Sequence, residues 1–154
     1  MILEQGAQLQ IDGAVSIQGA DSITMIDGDR FTGGTLNSIE VNAGGELTVT
    51  NTHLLRSGAG EDWSTLIVEP NGRFTATNTT FDLDAVEFND GSLLGSGGVT
   101  GNTFDNPVFT PLAHLRESNS NIRNNASFED IEILDGQVIG DGQVLNLVPL
   151  GVAP

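Results

Sequence analysis

Two histidines, a trio of acids and a single tryptophan are the residues with the most chemistry to offer. His53 and His114 have side chains suited to a metal ligand or a general base, but they fall in different segments with no third ligand implied. Each is read as a loop or surface residue. Asp82 and Asp84 stand two apart on an extended segment, with Glu87 near, and have the spacing to share a calcium ion. In a chain with 21 acidic residues some such pairs are expected, and a solvated acidic edge is the preferred reading. Trp63, with Arg56, Glu61 and Asp62 around it, forms a candidate interaction loop. An indole there can stack on a sugar or a partner protein, and packing its own loop against the fold is the simpler role. Serine is plentiful, yet no G-x-S-x-G turn is present to activate one. No catalytic residue, metal or cofactor is assigned.

The elements that would carry these residues are set by composition and by a repeat. The 154 residues suffice for one domain with a core, and 38% of them are hydrophobic. Twenty Gly, five Pro and few aromatics indicate an all-β chain rich in turns. Five Arg, no Lys and a formal charge of -16 argue against binding nucleic acid or inserting into an anionic membrane. That charge fits a cation-rich exterior and keeps flat strands from clumping sideways. Cysteine is absent, so neither a disulfide scaffold nor a thiolate metal site is available. No apolar run has the length of a spanning helix, and no basic-then-apolar leader opens the chain. The expectation is a form from which an export signal has gone, or a piece of something longer.

The repeat is seen first at Val49-Thr50-Asn51-Thr52-His53-Leu54. It returns as Ala76-Thr77-Asn78-Thr79-Thr80-Phe81, as Val99-Thr100-Gly101-Asn102-Thr103-Phe104, and more loosely as Asn125-Ala126-Ser127-Phe128. From Phe31 through Leu54, Phe81 and Phe104 to Phe128 the steps are 23, 27, 23 and 24 residues. A period near 24 is the mark of a stacked array. Strand-like runs such as Ile39-Glu40-Val41, Leu66-Ile67-Val68, Val86-Glu87-Phe88 and Ile131-Glu132-Ile133 recur with it, and Glu40, Glu87 and Glu132 share one outward place. A last round continues into Val138-Ile139. Three short strands and three corners per round make a parallel β-solenoid of five or six coils. In it Phe81, Phe104 and Phe128 form one inner ladder, while Asn51, Asn78 and Asn125 form another at a tight bend. The Asn-x-Thr/Ser matches at Asn78 and Asn125 fall on that ladder and are read as structural.

The solenoid domain is expected over residues 1–147, with loop insertions near 55–65 and 110–121, and 148–154 as an extended tail. The rival fold is an antiparallel β-sandwich, which would use the five Asp-Gly pairs and Asn71-Gly72 as hairpin turns.

The aliphatic columns, the bend Asn and the N-x-x-F echo resemble the right-handed parallel β-helix group, which includes pectin-degrading enzymes, bacterial surface adhesins and phage tail spikes. The resemblance is one of pattern. The segments of a polygalacturonase-like site are missing, since Asn51-Thr52 and Asn78-Thr79 lead into His and Thr. Arg56, Arg73, Arg116 and Arg123 have no lyase-like context. The function expected is therefore that of an extracellular or cell-surface module, bacterial in origin, that stacks head to tail on itself or forms part of a larger adhesin. The alternative is a carbohydrate-binding or carbohydrate-cleaving domain that uses the two insertions.

Overall fold

The computed structural model describes the backbone of the strands between residues 2 and 38, and residues 39–51, 53–55, 64–116, 122, 124–142 and 144. The chain visits three strand positions in rotation. The first rounds are β1 (Ile2–Leu3), β2 (Gln8–Ile11) and β3 (Val15–Ile17), then β4 (Ser22–Met25), β5 (Arg30–Gly33) and β6 (Asn37–Val41). There follow β7 (Glu46–Thr50), β8 (His53–Leu55) and β9 (Ser64–Val68), then β10 (Arg73–Thr77), β11 (Thr80–Asp82) and β12 (Ala85–Phe88). β13 (Leu93–Thr100), β14 (Thr103–Phe104) and β15 (Val108–Thr110) lead to a short helix, α1 (Leu112–Leu115), and to β16 (Ser127–Phe128) and β17 (Ile131–Ile133).

Three sheets result, ordered β1-β4-β7-β10-β13, β2-β5-β8-β11-β14-β16 and β3-β6-β9-β12-β15-β17. Each strand bonds to its counterpart one round away, and the described pairings are parallel, as at β10 with β7 and β11 with β14. Parallel neighbours separated by a whole round define a β-solenoid and overturn the antiparallel sandwich. Complete coils number about three, short of the five or six expected. Strand pairing does extend further, but among the described residues Val138 and Ile139, read as strand from sequence, lie outside any strand.

The corners explain why Asp-Gly and Asn-Gly do not make hairpins here. Gly45, Gly72 and Ser92 donate their N–H to the carbonyls of Asn42, Glu69 and Asn89 at 2.8, 2.8 and 3.0 Å. The third residue of each turn has a positive φ: Gly44 at 79°, Asn71 at 64° and Gly91 at 85°. That is the demand of a type II turn, in which Pro70 suits the second position. The turns stack as the strands do, with the Gly44 N–H on the Asn71 carbonyl and the Asn71 N–H on the Gly91 carbonyl. Each of these corners therefore turns the chain from the third sheet of one round into the first sheet of the next.

Alternate residues face inward. Leu47, Phe74 and Leu94 form one column, Val49, Ala76 and Val99 a second, and Leu54, Phe81, Phe104 and Phe128 a third. Within one coil the three sheets meet at Phe74, whose ring lies 6.1 Å from Phe81 and 5.7 Å from Phe88. A ring buried this way contributes roughly 2–3 kcal/mol over its exposed state.

Outside, the third sheet carries Glu40, Ile67, Glu87, Phe109 and Glu132 in register, and Ser16 is the register partner of Glu40. The three glutamates do share a column, but every other place is apolar or neutral. Two rungs then separate like charges, roughly 10 Å instead of 5 Å, which relieves the repulsion of directly adjacent acids. In the first sheet the stack is interrupted. Phe74 pairs with Leu94 and Ala76 with Val99, so Gly95–Gly98 of β13 stand opposite Thr75 alone. Gly95 is required at that bulge, because a Cβ there would run into the Thr75 hydroxyl.

Candidate functional site

The amide ladder is built from two columns, where the sequence suggested one. Asn51, Asn78, Gly101 and Asn124 make the bend, with φ of 50°, 52°, 71° and 58°. Asn51 and Asn78 are exposed there. Asn is tolerated in this left-handed conformation better than other side-chain-bearing residues. Asn125 does not belong to the bend; it is fully buried, and this corrects its expected place. The reason is one extra residue. Gly101 stands three residues before Phe104, whereas Asn124, which accepts the Gly101 N–H at 2.9 Å, stands four before Phe128.

Asn125 instead joins Asn102 in an interior column one position on. Asn102 Nδ2 donates to the Ala76 carbonyl and to Asn125 Oδ1, both at 3.0 Å. Its backbone N–H also donates to Asn125 Oδ1 at 3.0 Å, and its Oδ1 accepts the Thr79 N–H at 2.9 Å. Asn125 Nδ2 in turn donates to the Val99 carbonyl at 2.9 Å. These amides satisfy backbone groups that the bend removes from the strand ladders, and a buried group left unpaired is costly.

The insertion at 110–121 supplies the most unusual side-chain pair. α1 tucks Leu112, His114 and Leu115 against the solenoid. His114 is only 5% exposed, which corrects its reading as a surface residue. Its Nε2 lies 2.9 Å from Ser92 Oγ, and its ring meets Phe88 edge-on at 5.7 Å. Burial lowers the imidazole pKa from 6.5 to about 4, while the Asp90 carboxylate pulls in the opposite direction. A hydroxyl on an imidazole has the reach of a nucleophile and its base. With both groups buried and the ring so weakly basic, the pair acts as a neutral hydrogen bond that seals the corner under α1. Nothing in the sequence near His114 announced this. The Ser92 partner comes from a corner turn 22 residues earlier.

Arg56, Glu61, Asp62 and Trp63, the candidate interaction loop, lie outside the described residues, as does the side chain of His53. Asp82 sits on β11 and Glu87 on the outer face of β12, on different sheets. Among the described residues no three His, Cys, Asp or Glu side chains gather as a metal site would require. No described helix is long and apolar enough to cross a membrane.

A different concentration of chemistry appears beyond residue 130. Among the described residues the exposed large hydrophobics are Leu93 and then Ile133 at 46%, Val138 at 78%, Ile139 at 43% and Val144 at 83%. They accompany β17, the last strand of its sheet. A terminal strand offers a row of backbone donors and acceptors to any further strand.

The class this fold defines is the parallel β-solenoid. No known family, curated protein or solved structure matches the chain in comparison.

Proposed function

We propose that the chain is a structural and interaction module that works through its terminal rungs, joining end to end with copies of itself or continuing into the coils of a larger surface adhesin. The observation that carries this reading is β17 at the sheet edge with Ile133 exposed on it, and with Val138 and Ile139 exposed in the segment that follows. An apolar strand edge is the feature a β-protein pairs or covers. Contacts between unlike ends do not close on themselves, so they extend into rods. The charge of -16 keeps such rods apart laterally, and it suits a bacterial exterior, where we place the protein. We take the winding as right-handed, as for the β-helix group it resembles, because parallel crossovers within one sheet are overwhelmingly right-handed.

The test is light scattering and negative-stain imaging of the purified chain across a concentration series at low and moderate salt. Rods that lengthen with concentration, and more readily as salt screens the acids, are expected. A monodisperse monomer under every condition removes self-association.

A further inference from the structure

The two ends of the sheets carry matching patterns. We propose that a second copy stacks on this one in a single register, continuing the columns of the chain: β17 receives β3 of the next copy, with Ile131 beside Val15, Glu132 beside Ser16 and Ile133 beside Ile17. This rests on the end-to-end reading and specifies its geometry.

The columns themselves define that register. Val15, Ile39, Leu66, Val86, Val108 and Ile131 are successive partners across the third sheet; Ile17, Val41, Val68 and Phe88 are another such series, and Thr110 pairs with Ile133 in the last two strands. Placing β3 after β17 repeats the same register positions with residues of the same aliphatic class, Val15 and Ile17 beside Ile131 and Ile133. A shift by one residue would set the apolar places of one strand against the polar places of the other.

Charge is compatible with the same junction. The register column that holds the three glutamates ends on Glu132 and begins on Ser16, so the spacing of the glutamates continues across the contact. In the second sheet Asp82 is followed one rung on by Asp105 and then Glu129, whose N–H groups bond the carbonyls of Phe81 and Phe104. That column begins at Gln10, through Thr32 and Leu55. The first rung thus brings an uncharged Gln10 and Ser16 to the register positions next to Glu129 and Glu132. For a chain of charge -16, this pairing of ends sets no acid directly against another in either column.

The absence of cysteine allows a direct test. Ser16→Cys and Glu132→Cys, introduced together in the full chain, stand five rungs apart within one copy, roughly 24 Å, too far to bridge. Across the proposed junction they are neighbours at roughly 5 Å, within disulfide reach. Mild oxidation should give a reducible ladder in steps of 16.1 kDa, while either single variant stops at a dimer. Gln10→Cys with Glu132→Cys, on different sheets, should give no ladder. Rods without the Ser16–Glu132 ladder would overturn the register but leave end-to-end joining intact. Neither rods nor ladder would overturn both. Ile133→Asp in the otherwise unchanged chain gives an independent reading: loss of rods is expected, and rods undiminished would overturn the role of β17.

Discussion

Phe81 and Phe104, 23 residues apart in sequence, stand one above the other with ring centroids 4.8 Å apart and planes 4° from parallel. Their Cα atoms are partners in the β11–β14 pairing, and Phe104 repeats the relationship with Phe128 at 4.9 Å and 3°. The ring spacing is the strand spacing, so the backbone ladder and the aromatic stack enforce one another. A slip in either would break both.

Replacing Phe104 with Ala should therefore be severe, costing about 3–5 kcal/mol in denaturant or thermal unfolding, because it opens a cavity between two rings. Phe104→Leu should cost much less, about 1–1.5 kcal/mol, since Leu54 fills the same column one coil from Phe81. Equal losses for both variants would mean that the column does not tolerate Leu at this rung.

The two Asn columns should respond oppositely. Asn102→Ala removes the amide that holds the Ala76 carbonyl and the Thr79 N–H, and it deprives Asn125 Oδ1 of a donor. Each buried group left unpaired costs about 1–3 kcal/mol, so the loss should be several kcal/mol. Asn78→Gly keeps the positive φ at an exposed bend and should be nearly neutral, whereas Asn78→Val should cost about 1–2 kcal/mol. Chemical denaturation of the three variants checks this, and a neutral Asn102→Ala would rule out a stabilising role for the interior amides.

Gly72→Ala tests how tightly the corners stack. A Cβ at Gly72 would run into the carbonyl oxygen of Val41, one coil away, and backbone cannot yield as a flexible side chain can. A loss of about 1–3 kcal/mol is expected. Gly136→Ala has open space around it, so only its φ of 76° opposes the change, and the cost should be about 1 kcal/mol. Melting temperatures of the pair give the comparison.

These sites also show what the sequence could reveal. The 24-residue echo located the Phe column because ring positions repeat at strand spacing, and strands such as Leu66–Val68 alternate plainly. Asn125 was misplaced because N-x-x-F recurs there by chance, one residue out of step with the bend at Asn124. The four residues Gly95–Gly98 facing Thr75 were equally hidden, since a bulge changes pairing without changing composition. His114 was invisible for another reason. Its burial comes from α1 folding onto a turn made far earlier in the chain, and no local pattern encodes that contact. Val138 and Ile139 likewise lie outside any strand although their residue types suit one, so type alone does not place the last strand.

His114 should make stability depend on pH in a defined direction. Its pKa falls from 6.5 to about 4 on folding, through burial first and against the opposing pull of Asp90. Between those values the unfolded chain binds a proton that the folded chain refuses, so acid favours unfolding. The contribution of the neutral ring is whole above about pH 6.5. About 2 kcal/mol of it should be gone by pH 5, and about 3 kcal/mol at the lower limit, below the folded pKa. The measurement is a difference: unfolding free energy of the unchanged chain and of His114→Gln at pH 7 and pH 5. The variant should start less stable, because Gln fills the space against Phe88 and Ser92 poorly, yet it should lose about 2 kcal/mol less on acidification. Parallel pH profiles for the two proteins would mean that His114 takes up its proton without leaving the corner, and the seal under α1 would then have to rest on Leu112 and Leu115 alone.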